Sequence, residues 1–420
     1  MHAVRPALKS LDDALAELLA AAQPLEGAET VSTFDADARV LASDIVSALQ
    51  VPAHDNSSMD GYALRCADLV GLQARLRVTQ RIAAGSNGSA LQPGCAARIF
   101  TGAPIPPGAD AVVMQEDCEL QSQPDTATDA GQVDPLLRVL QGPQPGQWIR
   151  RAGEDVTRGS VVLQRGRRLG PAELGLAASI GMDRLQVSRR PRVALFSTGD
   201  ELVMPGQVAP EAMQPGSIYN SNRFFLRAML QRLGCSVSDL GIVPDQRAAT
   251  VQAMREAARD NDLVLTSGGV SVGEEDHVKP AVSELGRLDL WQIAIKPGKP
   301  FAHGRIGQAH FIGLPGNPVS SFVTFLLLVR PFLLRLQGVD DPQPQPVVLR
   351  ADFSWLRPDR RREFLRVRRN GAGGLDLFAN QSSGVLTSAV WGDGLVDNAP
   401  GACIAQGDPV RFLSFSSLLG

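Results

Sequence analysis

In this 420-residue chain, residue types able to do chemistry gather where short apolar runs stop. The run Leu263, Val264, Leu265 ends at Thr266-Ser267-Gly268-Gly269, and Glu274, Glu275, Asp276 and Lys279 follow at once. Adjacent glycines at a strand's carboxyl end remove the Cβ atoms that would hold a ligand off the backbone. Carboxylates and a lysine beside them suit a phosphate with its Mg²⁺. Taken alone, such a turn reads equally as a tight βα connection with solvated charges. Four others share its character: Ser197-Thr198-Gly199-Asp200-Glu201, Pro244-Asp245, Lys296-Pro297-Gly298-Lys299-Pro300 and Gly313-Leu314-Pro315-Gly316-Asn317-Pro318. In the last, Asn317 suits a helix N-cap and Pro318 the first helical position, leaving N–H groups as far as Ser320 to face an anion. Two further loops carry polar groups: D-N-S-S-M-D-G-Y-A at 55–63, with Asp55 and Asp60, and the Gly/Pro turn after Thr101. Composition alone makes the first a surface turn.

The elements around these turns explain why they would converge. Apolar runs at 193–196, 237–243, 263–265, 290–295 and 311–312 alternate with helical patterns at 222–233, 248–259, 278–285 and 319–336. Alternation of this kind predicts βαβ crossovers and a mostly parallel sheet, whose ligands bind at the carboxyl ends of the strands. Helices are also expected over 8–23, where Leu8, Leu11, Leu15, Leu18 and Leu19 follow a helical period, over 36–46, and after Pro171. Short alternating segments from 76 to 139 predict a small β domain. Beyond Gly338 a D-D-P-Q-P-Q-P linker leads to short strands at 347–353, 363–367, 375–378 and 408–412, a small barrel or sandwich. The arginines at 360–362, 366, 368 and 369 form either a solvated face or a rim for a polyanion.

Composition narrows the classes. A net charge of -3 and pI near 6.0 exclude a nucleic-acid binder that relies on a global basic field. The first residues lack a secretory pattern, and the longest apolar run, 322–329, is too short to span a bilayer. Five scattered cysteines without C-x-x-C spacing read as buried free thiols, and a cytoplasmic protein with no membrane partner is expected. Of 41 basic residues only Lys9, Lys279, Lys296 and Lys299 are lysines, and three of those border the turns above. Lysine is a compact point charge suited to probing a phosphate.

Six motifs, in order, resemble one family: D-N-S-S-M-D-G-Y-A (55–63), T-G-A-P-I-P (101–106), S-T-G-D-E-L (197–202), S-G-G-V-S-V-G-E-E-D (267–276), K-P-G-K-P-F (296–301) and G-L-P-G-N-P-V-S (313–320). Together they resemble the molybdopterin molybdenumtransferases, bacterial relatives of the gephyrin E domain. The resemblance implies a multidomain α/β plus β fold: a helical base (1–50 and 145–190) split by an inserted β domain (51–144), an α/β molybdopterin-binding domain (191–338) and a C-terminal β-barrel (339–420). It further implies a homodimer in which one subunit's inserted domain completes the other's site. The implied reaction is Mg²⁺-dependent insertion of molybdate into adenylylated molybdopterin with release of AMP, and it allows transient contact with the adenylylating enzyme and with cofactor acceptors. Family positions of catalytic weight fall on Asp60, Thr101, Glu201, Asp245, Asp276 and Lys296, with Glu201 and Asp276 as metal ligands. Ligand-binding positions fall on Ser267, Gly268, Gly269, Lys299, Pro315, Gly316, Asn317, Pro318, Ser320, Arg366 and Ser383. Gln292 stands where many relatives carry lysine. The rival readings are an adenylylating nucleotidyltransferase built on a similar α/β domain and a protein-binding scaffold.

Overall fold

Helix α1 (Leu11–Ala21) starts at Ser10, whose Oγ accepts the Asp13 N–H at 3.0 Å, and Asp12 and Asp13 occupy its first turn. Leu11, Ala14, Leu15 and Leu18 share one buried face, the i, i+3, i+4, i+7 stripe of an amphipathic helix. The computed structural model describes residues 8–69, 74–121, 134–270 and 277–419. They fall into two units, Met1–Ser43 with Arg165–Gly170 and Arg184–Gly420, and Asp44–Gln164 with Pro171–Asp183.

The helix expected over 36–46 does not form. Ala38 has φ 59°, which breaks a right-handed helix, and Val40 and Leu41 instead bridge to Arg168 and Val187. The buried apolar spacing there serves β-bridges.

In the first unit a six-stranded sheet runs in the order β2-β1-β3-β6-β5-β4, with β1 Arg192–Thr198, β2 Ser236–Val243, β3 Leu263–Ser267, β4 Gly286–Gln292, β5 Pro300–Ile306 and β6 Ala309–Leu314. The β2-β1-β3-β6 pairings are parallel and the β5 and β4 pairings antiparallel. The interior strands are buried on both faces, as a parallel sheet covered by helices requires. Val193, Leu195, Leu263, Leu265, Ile312 and Leu314 point to one core, and Ala194, Phe196, Val264 and Phe311 to the other. Helix α2 (Pro171–Ser179) belongs to the second unit. Helix α3 (Asn222–Arg232) packs on the first face of the sheet, and α4 (Arg247–Asp260) and α5 (Val278–Leu285) on the second. Helix α6 (Pro318–Thr324) continues through a π-helical turn, Phe325–Val329, into Arg330–Leu336. Pro331, with no N–H to give to the preceding turn, accounts for that irregularity. Pro318–Leu336 is long and apolar enough to cross a membrane, but 89% of it is buried as the core helix of this unit.

The expected strand at 290–295 is two elements. Its first part ends β4, while Ile295–Lys296 leaves the sheet and pairs in parallel with Arg362–Arg369. That strand belongs to a five-stranded barrel with Gly374–Leu377, Val347–Ala351, Pro409–Ser414 and Gly394–Asn398, closed because Arg362–Arg369 pairs with both Gly374–Leu377 and Gly394–Asn398. Ala351, Leu365, Val367, Leu375, Val396 and Phe412 form its core.

The second unit is built on a six-stranded sheet: Ala111–Met114, Gly61–Leu64, Cys95–Ile99, Arg75–Ile82, Leu136–Val139 and Cys118–Gln121 in spatial order. All five cysteines are unpaired, but only Cys95 and Cys235 are buried and Cys403 is exposed.

Candidate active site

Register fixes the site. Ser197 lies beside Ser267, and Ser267 beside Leu314, so β1, β3 and β6 end level with one another. The turns at 198–201, 267–269 and 315–318 therefore leave the sheet side by side. They line a cleft of about 520 Å³, together with Tyr219, Asn220, Ser221 and Asn222 at the start of α3, and Asp245 after β2. Of the positions singled out in the sequence, the cleft gathers Glu201, Asp245, Ser267, Gly268, Gly269, Pro315, Gly316, Asn317, Pro318 and Ser320. Asp276 lies outside the described residues.

The glycines have different tasks. A Cβ on Gly268, at φ +94°, would stand 2.9 Å from the Thr198 carbonyl oxygen, and one on Gly269, at φ +68°, would stand 2.3 Å from Val278. These two are glycines because neighbouring chain fills the space, not because a ligand does. A Cβ on Gly199 would sit 2.6 Å from a Glu201 carboxylate oxygen, so the acid folds back over its own turn. Gly316 is unconstrained, with Gly268 Cα the nearest atom at 4.0 Å.

Asn317 occupies the N-cap position of α6 but makes no side-chain cap bond. The Val319 N–H that an anion was expected to use donates to the Ser383 carbonyl at 2.9 Å. Ser383 thus reaches the start of α6 from the barrel through its backbone.

Three predicted cations lie elsewhere. Lys296 is absent from the described lining of the cleft. Its Nζ is 3.1 Å from Glu363 Oε1 and 3.3 Å from Asp359 Oδ2, because the parallel pairing sets Lys296 beside Glu363. Lys299 is exposed and also outside that lining, although Pro300 belongs to it. Arg366, 1% exposed, donates to the Phe364 carbonyl, Ser388 Oγ and the Ser382 carbonyl at 3.1, 3.1 and 3.3 Å. Burial pushes its guanidinium down to about 10. None of these partners carries a charge, so a nearby oxyanion would be welcome. The rest of the arginine run is mostly matched: Arg361 with Asp359, Arg362 with Asp397, Arg369 with Asp393.

In the second unit, Asp60 Oδ1 accepts both the N–H and the Oγ1–H of Thr101, each at 2.8 Å. The backbone bond first and the hydroxyl bond second hold the Asp60 carboxyl below the usual carboxylate range, with the Arg98 charge adding to them. Arg98 lies 4.8 Å from the Phe100 ring centroid and donates to the Gly61 carbonyl at 3.2 Å, clasping both neighbours of the pair.

Sequence reasoning missed Asn220 and Asn222. The run Y-N-S-N at 219–222, polar residues between a short strand and a helix, was the available signal.

Three family models match in sequence: the MoeA N-terminal region (domain I and II) over residues 9–181, a probable molybdopterin binding domain over 194–335, and the MoeA C-terminal region (domain IV) over 348–415. A molybdopterin molybdenumtransferase of Haemophilus influenzae is 43% identical, with 78% of each chain covered. Molybdopterin molybdenumtransferase 2 of Mycobacterium tuberculosis is 37% identical over 91% of this chain and 93% of its own. A molybdopterin biosynthesis MoeA protein from Pyrococcus horikoshii superposes with a TM-score of 0.75 at 31% identity, covering 97% of this chain and 99% of its own. The cleft at level strand ends, the closed barrel and these matches along nearly the whole length agree: the chain belongs to the molybdopterin molybdenumtransferase family.

Proposed function

We propose that this protein inserts molybdate into adenylylated molybdopterin, releasing AMP and the molybdenum cofactor. The observation that carries the reading is the cleft itself. Three backbone turns and two carboxylates converge there, and its described lining includes no lysine or arginine. A phosphate seated beside carboxylates is favoured by a divalent cation held between them.

Mg²⁺ fits that demand. It binds through one or two carboxylates plus substrate phosphate and water, without an all-protein cage. Glu201 and Asp245 on the lining are oxygen donors of that kind, and among the described residues no cluster of three or more His, Cys, Asp or Glu forms a cage. Glu201 and Asp245 would hold the ion, with Asp276 as a further candidate. When bound it would offset charge on the anhydride oxygens and on the departing AMP.

The chain's own groups do the rest. The peptide groups of the 267–269 and 315–318 turns orient the phosphate end of the substrate. Arg366 and the Ser383 loop draw the molybdate oxyanion to the barrel side. Asp60 and Thr101, delivered by the second subunit of a homodimer, close the site over both substrates.

The test supplies adenylylated molybdopterin and molybdate and follows AMP, with and without Mg²⁺. Molybdate- and Mg²⁺-dependent AMP release is expected. A parallel reaction with ATP and unmodified molybdopterin should give no pyrophosphate, and pyrophosphate there would identify the adenylylating enzyme instead.

A further inference from the structure

Asn222 is the first residue of α3, 8% exposed, and it lines the cleft. Its Nδ2 donates to Ser267 Oγ at 2.8 Å and to the Gly316 carbonyl at 2.7 Å. The first partner ends β3 and the second lies in the turn after β6. A carbonyl oxygen only accepts, so the orientation of the amide is fixed and both of its hydrogens are committed. We propose that Asn222 is a positioning residue of the transferase reaction, setting the spacing of the 267–269 and 315–318 turns and hence the alignment of the two anionic substrates.

Three features support this over a role in capping or packing. Capping is done by Asn220, whose Oδ1 accepts the Arg223 N–H at 3.2 Å, so α3 does not need Asn222 for that purpose. The ladder between β3 and β6 ends at the Gly268 N–H to Leu314 carbonyl bond of 3.0 Å, and Asn222 continues the connection past it, to Gly316, whose missing Cβ would lie 4.0 Å from Gly268 Cα. Its own Oδ1 is buried without a hydrogen-bond partner, an arrangement that fold stability alone would disfavour. An uncharged amide also ties a hydroxyl to a carbonyl without adding charge to a cleft that must receive anions.

The inference rests on the activity proposed above, and kinetics of the full-length protein separate the two. Asn222→Ser removes both bonds without introducing charge, and Ser267→Ala removes one. If turns held at the right distance govern alignment, N222S should lower kcat for AMP release on the order of 10²-fold with KM within about threefold. S267A should show the same pattern more weakly, and the double variant should be no slower than N222S, because the two residues act through one bond. An unchanged kcat, a rise in KM alone, or fully additive losses would overturn the positioning role. Should N222S not fold, the kcat-against-KM split in S267A decides. A wild-type protein without molybdate-dependent AMP release would overturn the activity, and this inference with it.

Discussion

Two charged regions of the first unit follow opposite rules. On the barrel side most of the charged groups named above are answered by an opposite charge within the chain: Lys296 by Glu363 and Asp359, Arg361 by Asp359, and Arg362 by Asp397 through two bonds of 2.6 and 2.7 Å, while Arg366 is held by neutral partners. Glu363, its side chain 2% exposed, also accepts the Trp355 indole N–H at 2.8 Å. In the cleft, Glu201 and Asp245 stand in a described lining without lysine or arginine. Matched charges secure a fold, whereas carboxylates on the lining of a substrate cleft are placed to meet a ligand or its ion. Proximity in sequence to a glycine turn, which linked Lys296 to the cleft, does not distinguish the two cases.

The largest expected effect tests the cleft half of this contrast. Glu201→Gln keeps size and polarity but removes the charge, and should slow AMP release on the order of 10²–10³-fold, the scale of losing one electrostatic group of an active site. The melting temperature should not move, since Glu201 is exposed. Near-normal turnover would remove Glu201 from the site. The same variant tests the shared site of a homodimer. Random mixing with Asp60→Ala makes half the dimers mixed, each with one intact site, so about a quarter of wild-type activity should return if the two residues come from different subunits. No recovery would place them in the same subunit's site.

Lys296→Met tests the other half and should be smaller. It leaves Glu363 buried without its cation, and removing one partner of a fully buried pair costs about 3–5 kcal/mol. Lys296 is 38% exposed, so a loss of ~2 kcal/mol in urea denaturation is the fitting expectation. Turnover of the folded fraction should stay within about threefold of wild type. Abolished turnover at unchanged stability would return Lys296 to the cleft and erase the contrast.

How far these regions were legible in the sequence follows from the kind of information each needs. β1, β3 and β6 read directly because buried parallel strands are short apolar runs, and their level ends explain why the turns meet. The antiparallel edge did not: β5 carries His303, Gly304 and Arg305 amid apolar residues, and its identity comes from pairing with β6. Residues 290–295 looked continuous because nothing local marks where a strand changes sheet. The 36–46 segment had a helical period, but Ala38 adopts φ 59° through tertiary bonding that no propensity foretells. Lys296 and Arg366 were recognisable as important charges, yet their partners, Glu363 and the Ser382 carbonyl, are 67 and 16 residues away. Asn222 was missed for the same reason, since its role is defined by two distant acceptors.

The finest test asks which glycines serve the protein and which the ligand. Gly268 and Gly316 face one another across the two turns, but only Gly268 has positive φ and a backbone oxygen within 2.9 Å of its missing Cβ. Gly268→Ala should destabilise by about 1–2 kcal/mol for the left-handed backbone alone, before the contact with Thr198 is counted. Gly316→Ala meets only a 4.0 Å contact and should be neutral, or stabilising by about 0.4–1 kcal/mol through a less flexible unfolded chain. Urea midpoints of the two variants measure the difference, and AMP titration then separates their roles. If Gly316→Ala weakens AMP binding while leaving stability intact, that glycine is kept bare for the phosphate. Unchanged AMP affinity would mean that neither glycine is there for the ligand, and that the turns act through their peptide groups alone.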